Sequence, residues 1–396
     1  MQPLEGLLVV DLTRALAGPY CTMMLADLGA QVIKIEQPLV GDETRGWGPP
    51  FLEGTSDSAY YAALNRNKKS LTLDLKMPAA KKILAELIAQ ADVLVENFRL
   101  GTMKKLGFSY EEVSQINSRL VYCSLTGFGS TGPYAERGGY DVIIQGMGGL
   151  MSITGEEEGQ PMRVGVPIVD ITTGMFGTQG VLAALYAREK TGKGQFVETS
   201  LLESQIAWLT NVGSNYLISG KVPKRLGNMH PNITPYQPYK ASDGYVIVAV
   251  GNDKLWKSFT EALGVPELSD DARFVTNALR NQNRTELNQI LGKLFSQKTA
   301  SEWTELMVVK GIPSGPINTM DKVFSDPQVL ARDMLIQVKH PVAGEIKMAG
   351  LPIKFSQTPA KIKSHPPLLG EHTEEILEKL GYSLEDIHKL RENSVV

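Results

Sequence analysis

One acid stands out for its surroundings: in PMRVGVPIVDITTGMFG (161–177), Asp170 follows the apolar run 164–169 and precedes Thr172, Thr173 and Gly174. The run reads as a buried strand and the threonines as the opening of a helix, which puts a carboxylate at a strand-to-helix corner. Burial disfavours an ionised carboxyl group unless donors satisfy it. Asp170 is therefore either a helix N-cap or a carboxylate placed to react, and the local pattern by itself favours the cap. Other polar groups fall in loops. Arg45, Arg66, Lys68 and Lys69 occupy an irregular stretch between 38 and 70, where the simplest reading is solvated surface. Asn97 directly follows a strand, where open α/β sheets bind ligands, although an Asx turn has the same signature. TGFGSTGP (126–133) offers backbone N–H groups to an anion but lacks the GxxxxGK[ST] spacing of a nucleotide loop.

The elements that must hold these groups alternate. Strand-like runs at 7–12, 31–36, 71–75, 92–96, 120–125 and 196–199 are separated by helical stretches at 20–28, 78–90, 110–117, 142–151, 178–190 and 201–217. That order predicts a parallel α/β sheet of Rossmann-like type. The first strand-to-helix turn, 14–19, has no GxGxxG fingerprint, which argues against nicotinamide or flavin dinucleotides. From Gly220 the texture changes to Pro-, Gly- and Asn-rich loop, then a strand at 245–250 and helices at 253–263, 284–295 and 300–310. We expect residues 1–220 to form a large domain, 221–325 a smaller α+β domain, and 326–396 to return to the large one. The tail's strand pieces have no evident sheet of their own.

The 396 residues carry 40 Lys and Arg against 43 Asp and Glu, a formal net charge of -3, which gives no sign of a nucleic-acid partner. Two distant cysteines, Cys21 and Cys123, exclude a disulfide framework or zinc ribbon and fit a reducing, cytoplasmic compartment. No metal site, signal peptide or membrane span is expected, because no stretch reads as some 18 apolar residues.

Taken together, PLEGLLVVDLTRALAGPYCTMMLADLGAQVIKIEQPLVGDETRGWGPP, NRNKKSLTLDLK, VENFRLGTMKKLGF, TGFGSTGP, GGYDVIIQGMGGLMSITG, the Asp170 segment, TGKGQ and PPLLGEHTEEIL resemble the class III CoA-transferases nearly end to end. Within that family the chain is most similar to the branch using succinyl-CoA and glutarate or related dicarboxylates. The resemblance implies an interlocked, ring-like homodimer, CoA esters and carboxylic acids as substrates with no tightly bound cofactor, and Asp170 as a nucleophile forming aspartyl anhydride and aspartyl-CoA thioester intermediates. It also implies Leu16, Ala17, Leu73, Lys76 and Asn97 along the CoA, Lys105 and Arg137 at its phosphates, and a substrate loop with Gly227, Asn228, His230 and Asn232. Arg14 or Arg45 stands in for a phosphate contact that the family's formyl-CoA branch makes at the position of Gln37. Arg45, Arg66, Arg163 and Arg225 are the candidates for the acceptor's far carboxylate.

Three other readings compete. The racemase branch of the family has His-Asp where this chain has Tyr140-Asp141, and a phenol of ordinary pKa near 10 is a poor base at neutral pH. A CoA-binding protein without chemistry has no use for Asp170 in its motif. An acyl-CoA hydrolase results if water reaches the aspartyl thioester.

Overall fold

Short apolar runs build the larger sheet: β1 (Leu8–Asp11), β2 (Gln31–Glu36), β3 (Lys68–Thr72), β4 (Val93–Glu96), β5 (Val121–Thr126) and β6 (Phe196–Ser200). All pair in parallel, in the order β3-β2-β1-β4-β5-β6. This is the doubly wound order, whose direction of winding reverses between β1 and β4. Alternate strand residues face opposite sides. Val10, Ile33 and Leu94 therefore pack with Ile83 and Leu87 of the Pro78–Gln90 helix. Val9, Val32 and Val93 pack with Cys21 and Leu25 of the Ala17–Asp27 helix and with Val181 and Leu185 of the Ile168–Thr191 helix. With both faces covered, the strands read as continuous rather than alternating apolar runs.

This computed structural model describes all 396 residues and divides them into two units. Unit 1 comprises Met1–Gly148, Val164–Leu209 and Pro327–Val396, and unit 2 comprises Gly149–Arg163 and Thr210–Asp326. Two stretches expected to be single helices break where the chain changes unit. The 142–151 stretch splits into Asp141–Met147 and Leu150–Ile153 at left-handed Gly149, and 201–217 splits into Leu201–Ala207 and Thr210–Ser219 at Thr210, whose φ is 41°. Apolar periodicity runs through both breaks, which hid them.

The segment around Asp170 differs most from expectation. Residues 164–167 form no strand, and one 24-residue helix, Ile168–Thr191, replaces the predicted strand and shorter helix. Gly174, Gly177 and Gly180 look like breakers in sequence, yet each marks a close approach. A Cβ on Gly174 would lie 2.6 Å from the Ala17 carbonyl oxygen, on Gly177 3.1 Å from Leu125, and on Gly180 2.7 Å from Val197. The stripe lets the helix press against the Ala17–Asp27 helix, β5 and β6. By length and composition this helix could cross a membrane, which corrects the expectation that no stretch is long enough; here it packs within unit 1.

The tail's strands, Leu335–His340 and Gly344–Ala349, pair with each other as an antiparallel hairpin rather than lacking a sheet. Helices Thr373–Lys379 and Leu384–Glu392 add Ile376, Leu377 and Ile387 to the core of β1, β2 and β4, and Val395, just beyond the second helix, joins them. Unit 2 has a three-stranded antiparallel sheet of Tyr236–Lys240, Tyr245–Ala249 and Ser314–Pro316 over a core including Trp256, Phe259, Phe295 and Trp303.

Candidate active site

At the carboxyl edge of the large sheet, where β1 and β4 diverge, a cavity of about 310 Å³ is lined by residues that follow β1 (Arg14, Leu16, Ala17), β4 (Asn97, Phe98, Arg99) and β5 (Gly127), together with Arg137, Tyr140 and Asp170. Doubly wound sheets bind ligands at this reversal. A larger cavity, about 570 Å³, opens at the opposite edge near Gln2, Lys69, Lys363 and His372, but it holds no comparable reactive group. Position and chemistry, rather than volume, select the first.

Asp170 is the third residue of its helix and is not the cap. The cap residue is Pro167, which supplies no side-chain acceptor. The acceptor comes instead from Asp141, whose Oδ1 takes the N–H of Val169 at 2.8 Å and, more weakly, that of Asp170 at 3.4 Å. Gln145 donates to the other oxygen of Asp141 and accepts from the Val164 N–H with its own carbonyl. A borrowed cap is worth about 1 kcal/mol, and it leaves the Asp170 carboxylate uncommitted. Burial, with the Asp141 charge added to it, pushes the Asp170 carboxyl up to about 7. An unsolvated carboxylate is more basic and a better nucleophile than one in water. Tyr60 faces the same charge: burial first and then Asp170 raise its phenol to about 12, and its ring meets Trp47 edge-on at 5.2 Å.

Opposite stands the amino end of the Ala17–Asp27 helix, drawn close by Gly174. Its N-cap, Leu16, has no side-chain hydrogen bond, and the first N–H groups of a helix have no partner within it. Leu16 and Ala17 at this end line the same cavity as Asp170, where such groups can serve as donors. The rim carries cations: Arg14 over Phe98 at 5.4 Å, Arg137 stacked on Tyr134 at 3.9 Å, and Arg99.

Of the residues singled out from sequence, Leu16, Ala17, Asn97, Arg137 and Asp170 line this one cavity. Asn97 spends its amide on the backbone, accepting from the Arg14 N–H at 2.9 Å and donating to the Arg14 carbonyl at 2.8 Å, so the Asx-turn reading fails. Leu73 is buried in the core beyond β3, and Lys76 and Lys105 are exposed; none of the three lines the cavity. Gly227, Asn228, His230 and Asn232 lie in unit 2. There His230 Nδ1 accepts from the Asn232 N–H, and the Asn232 carbonyl accepts from Asn277 and Asn281.

Most of the candidate cations turn out to be structural. Arg45 binds Glu36 and Asp57, Arg66 binds Asp27, and Lys68 binds Asp11, all buried. Half-exposed Lys69 pairs with Glu375, and the Arg225 guanidinium is held by the carbonyls of Glu156, Glu157 and Gly159. The surface reading of 38–70 is thereby corrected, and Arg45 and Arg66 are removed as ligands for a substrate carboxylate. Asp141, Tyr60 and Arg99 were the groups missed. Only Asp141 had a signal, its place before an apolar helical stretch, and nothing in that spacing points to a partner 28 residues away.

An uncommitted carboxylate sharing a cavity with a helix amino end at the reversal of a doubly wound sheet, under a basic rim, suits a site for an anionic ligand. Comparison agrees: the family model of CoA-transferase family III matches residues 4–373, and the chain belongs to that family. It is similar to the succinyl-CoA:glutarate CoA-transferase of Homo sapiens, 45% identical over 397 residues that cover 100% of this chain and 90% of the relative. It is also similar to the succinate–glutarate CoA-transferase of Agrobacterium fabrum, 44% identical and covering 96% of each. A crystal structure of a CAIB/BAIF family protein from Brucella suis matches with a TM-score of 0.86 at 46% identity, covering 96% of this chain and 99% of that one. The chain is thus a CoA-transferase.

Proposed function

We propose that this enzyme moves CoA from succinyl-CoA to glutarate or a similar dicarboxylate, with Asp170 as the covalent relay. The Asp170 carboxylate attacks the thioester carbonyl and expels CoA thiolate, leaving a succinyl-aspartyl anhydride. The thiolate then attacks the aspartyl carbonyl, releasing succinate and forming an aspartyl-CoA thioester. The acceptor carboxylate attacks that thioester, expels the thiolate again and forms a second anhydride. Attack of the thiolate on the acceptor's carbonyl yields the new CoA ester and restores Asp170. Each addition places negative charge on a carbonyl oxygen, which the uncapped N–H groups at Ala17 and Gly18 are suited to receive. Water must be excluded at every stage, or anhydride and thioester hydrolyse; we assign that work to the loop with Gly227, Asn228, His230 and Asn232. Leu16, Ala17 and Asn97 border the pantetheine path, and Arg137, aided by Arg14 and Arg99, meets the phosphates. Leu73, Lys76 and Lys105 extend the CoA path beyond the cavity. CoA esters are substrates here rather than resident cofactors.

The observation that carries this reading is the Asp170 carboxylate itself, half-buried, accepting no hydrogen bond and lining one cavity with the uncapped amino end of the Ala17–Asp27 helix. The relatives' donor and acceptor support the choice of substrates. Incubation with succinyl-CoA and isotopically labelled glutarate is expected to give labelled glutaryl-CoA, with a CoA adduct on the Asp170 peptide by mass spectrometry. Asp170→Ala is expected to abolish turnover while CoA-ester binding persists. Substantial turnover by that variant, or transfer to monocarboxylates in preference to glutarate, overturns the assignment.

We further propose a homodimer in a reducing, cytoplasmic setting. The dimer rests on the family resemblance, with exposed apolar residues such as Leu217, Ile218 and Val309 available to a partner, and the two buried thiols are unlinked. A monomer by sedimentation at micromolar concentration contradicts the dimer.

A further inference from the structure

Beneath the cavity lies a layer of charge that the proposed chemistry does not use. Lys34 on β2 and Asp42 form an ion pair at 2.8 Å, with side chains 0% and 1% exposed. Such a pair is poor evidence of stability, because apolar side chains of similar volume often serve as well or better. Its contacts suggest another purpose. The Lys34 ammonium also donates to the Thr13 carbonyl at 2.8 Å. Asp42 Oδ1 accepts from the Thr44 N–H and hydroxyl, and from the Ala15 N–H at 3.4 Å. Ala15 has a φ of 63°, a left-handed conformation that disfavours any residue with a Cβ and persists only where neighbours enforce it.

The rest of the loop is held as firmly. Asp11 accepts from the N–H and hydroxyl of Thr13, and Asn97 grips both backbone groups of Arg14. Three consecutive residues, Thr13, Arg14 and Ala15, are thus tied to four side chains from β1, β2, the end of β4 and the 42–46 turn. The next residues are Leu16 and Ala17, the donor end that faces Asp170.

We propose that Asp42, anchored by Lys34, is a positioning residue for the reaction: it holds Ala15 in its left-handed conformation and so sets where the amino end of the Ala17–Asp27 helix stands relative to Asp170. The proposal rests on Asp170 being the nucleophile. It assigns to the buried pair a role in rate, where a purely structural pair affects only the fraction of protein folded.

Two double variants separate these roles. Lys34→Met/Asp42→Ala and Lys34→Met/Asp42→Asn both remove the ion pair and leave no lone buried charge, but only the Asn side-chain oxygen still accepts from Ala15 and Thr44, its NH2 no longer facing an ammonium. The measurement is the rate constant for forming the Asp170–CoA adduct from succinyl-CoA, normalised to the adduct-forming fraction, alongside denaturant unfolding. Positioning predicts a split. Lys34→Met/Asp42→Ala slows adduct formation roughly ten- to a hundredfold, whereas Lys34→Met/Asp42→Asn stays close to the unaltered enzyme although both lose the same ion pair. Equal rates in all three proteins, or equal losses in both variants, overturn the proposal. If Lys34→Met/Asp42→Ala does not fold, Lys34→Met/Asp42→Asn must still form the adduct at close to the unaltered rate, and a roughly tenfold slowing in it overturns the proposal. Absence of any adduct in the unaltered enzyme is a separate failure, that of the nucleophile reading, and this proposal falls with it.

Discussion

Asp170 holds its proton in the folded protein up to about pH 7, because burial and Asp141 both oppose its ionisation. In an unfolded chain an Asp releases it near 3.9. Below pH 4 both states are protonated and the group contributes nothing. As pH rises toward 7 the unfolded state alone ionises, so stability falls, and above 7 the full penalty is present. Asp170→Asn is therefore expected to melt higher than the unaltered protein at pH 8, by an amount on the order of a few kcal/mol, with the gap closing toward pH 4. Thermal melts across that range test it, and a gap independent of pH contradicts a desolvated carboxylate. In the unaltered enzyme the rate of adduct formation should climb with pH and level off above about 7, since only the ion attacks. The residue could be found from its neighbours in sequence, but its state could not, because Asp141 supplies the cap from another helix.

Two features of the Ile168–Thr191 helix act as one element on that residue. Asp141→Asn keeps an oxygen for the Val169 N–H but removes the charge that raises Asp170, so the acid limb of the pH–rate profile should move to lower pH; an unmoved limb shows that the Asp141 charge is not felt. Gly174→Ala tests the approach of the two helices. Alanine is favoured within a helix by about 1 kcal/mol over glycine. Its methyl would sit 2.6 Å from the Ala17 carbonyl oxygen, however, and overpacking of this kind costs about 1–3 kcal/mol. The clash should win, lowering stability and slowing the adduct step together; a more stable variant with unchanged rate refutes the role given to Gly174. The strands and their parallel pairing were legible because apolar β-rich runs alternate with helical stretches. The true extent of this helix was not, since the glycines that fit it to its neighbours look like its end.

At the scale of the molecule, unit 1 draws on both ends of the sequence. Ile376, Leu377, Ile387 and Val395 complete the core over β1, β2 and β4. Fully burying four such side chains is worth roughly 6–12 kcal/mol, comparable to the whole stability of a typical domain. Removal of residues 373–396 should therefore leave unit 1 unfolded, seen as loss of CoA-ester binding and of a cooperative melt; a soluble, active truncated protein would refute this. Likewise, the buried charges at Arg45, Arg66 and Lys68 looked like surface where their motifs were read locally, because each finds its partner through the tertiary fold.

That late closure orders events at the ribosome. Every residue of unit 2 precedes position 327, so it can fold during synthesis while the parallel sheet still lacks one covering layer. A nascent chain that has not reached Val395 displays the apolar face later sealed by the last two helices, the kind of surface that holdase chaperones bind. Asp170 and the loop at Ala15 thus emerge long before the helices that complete the core of β1, β2 and β4.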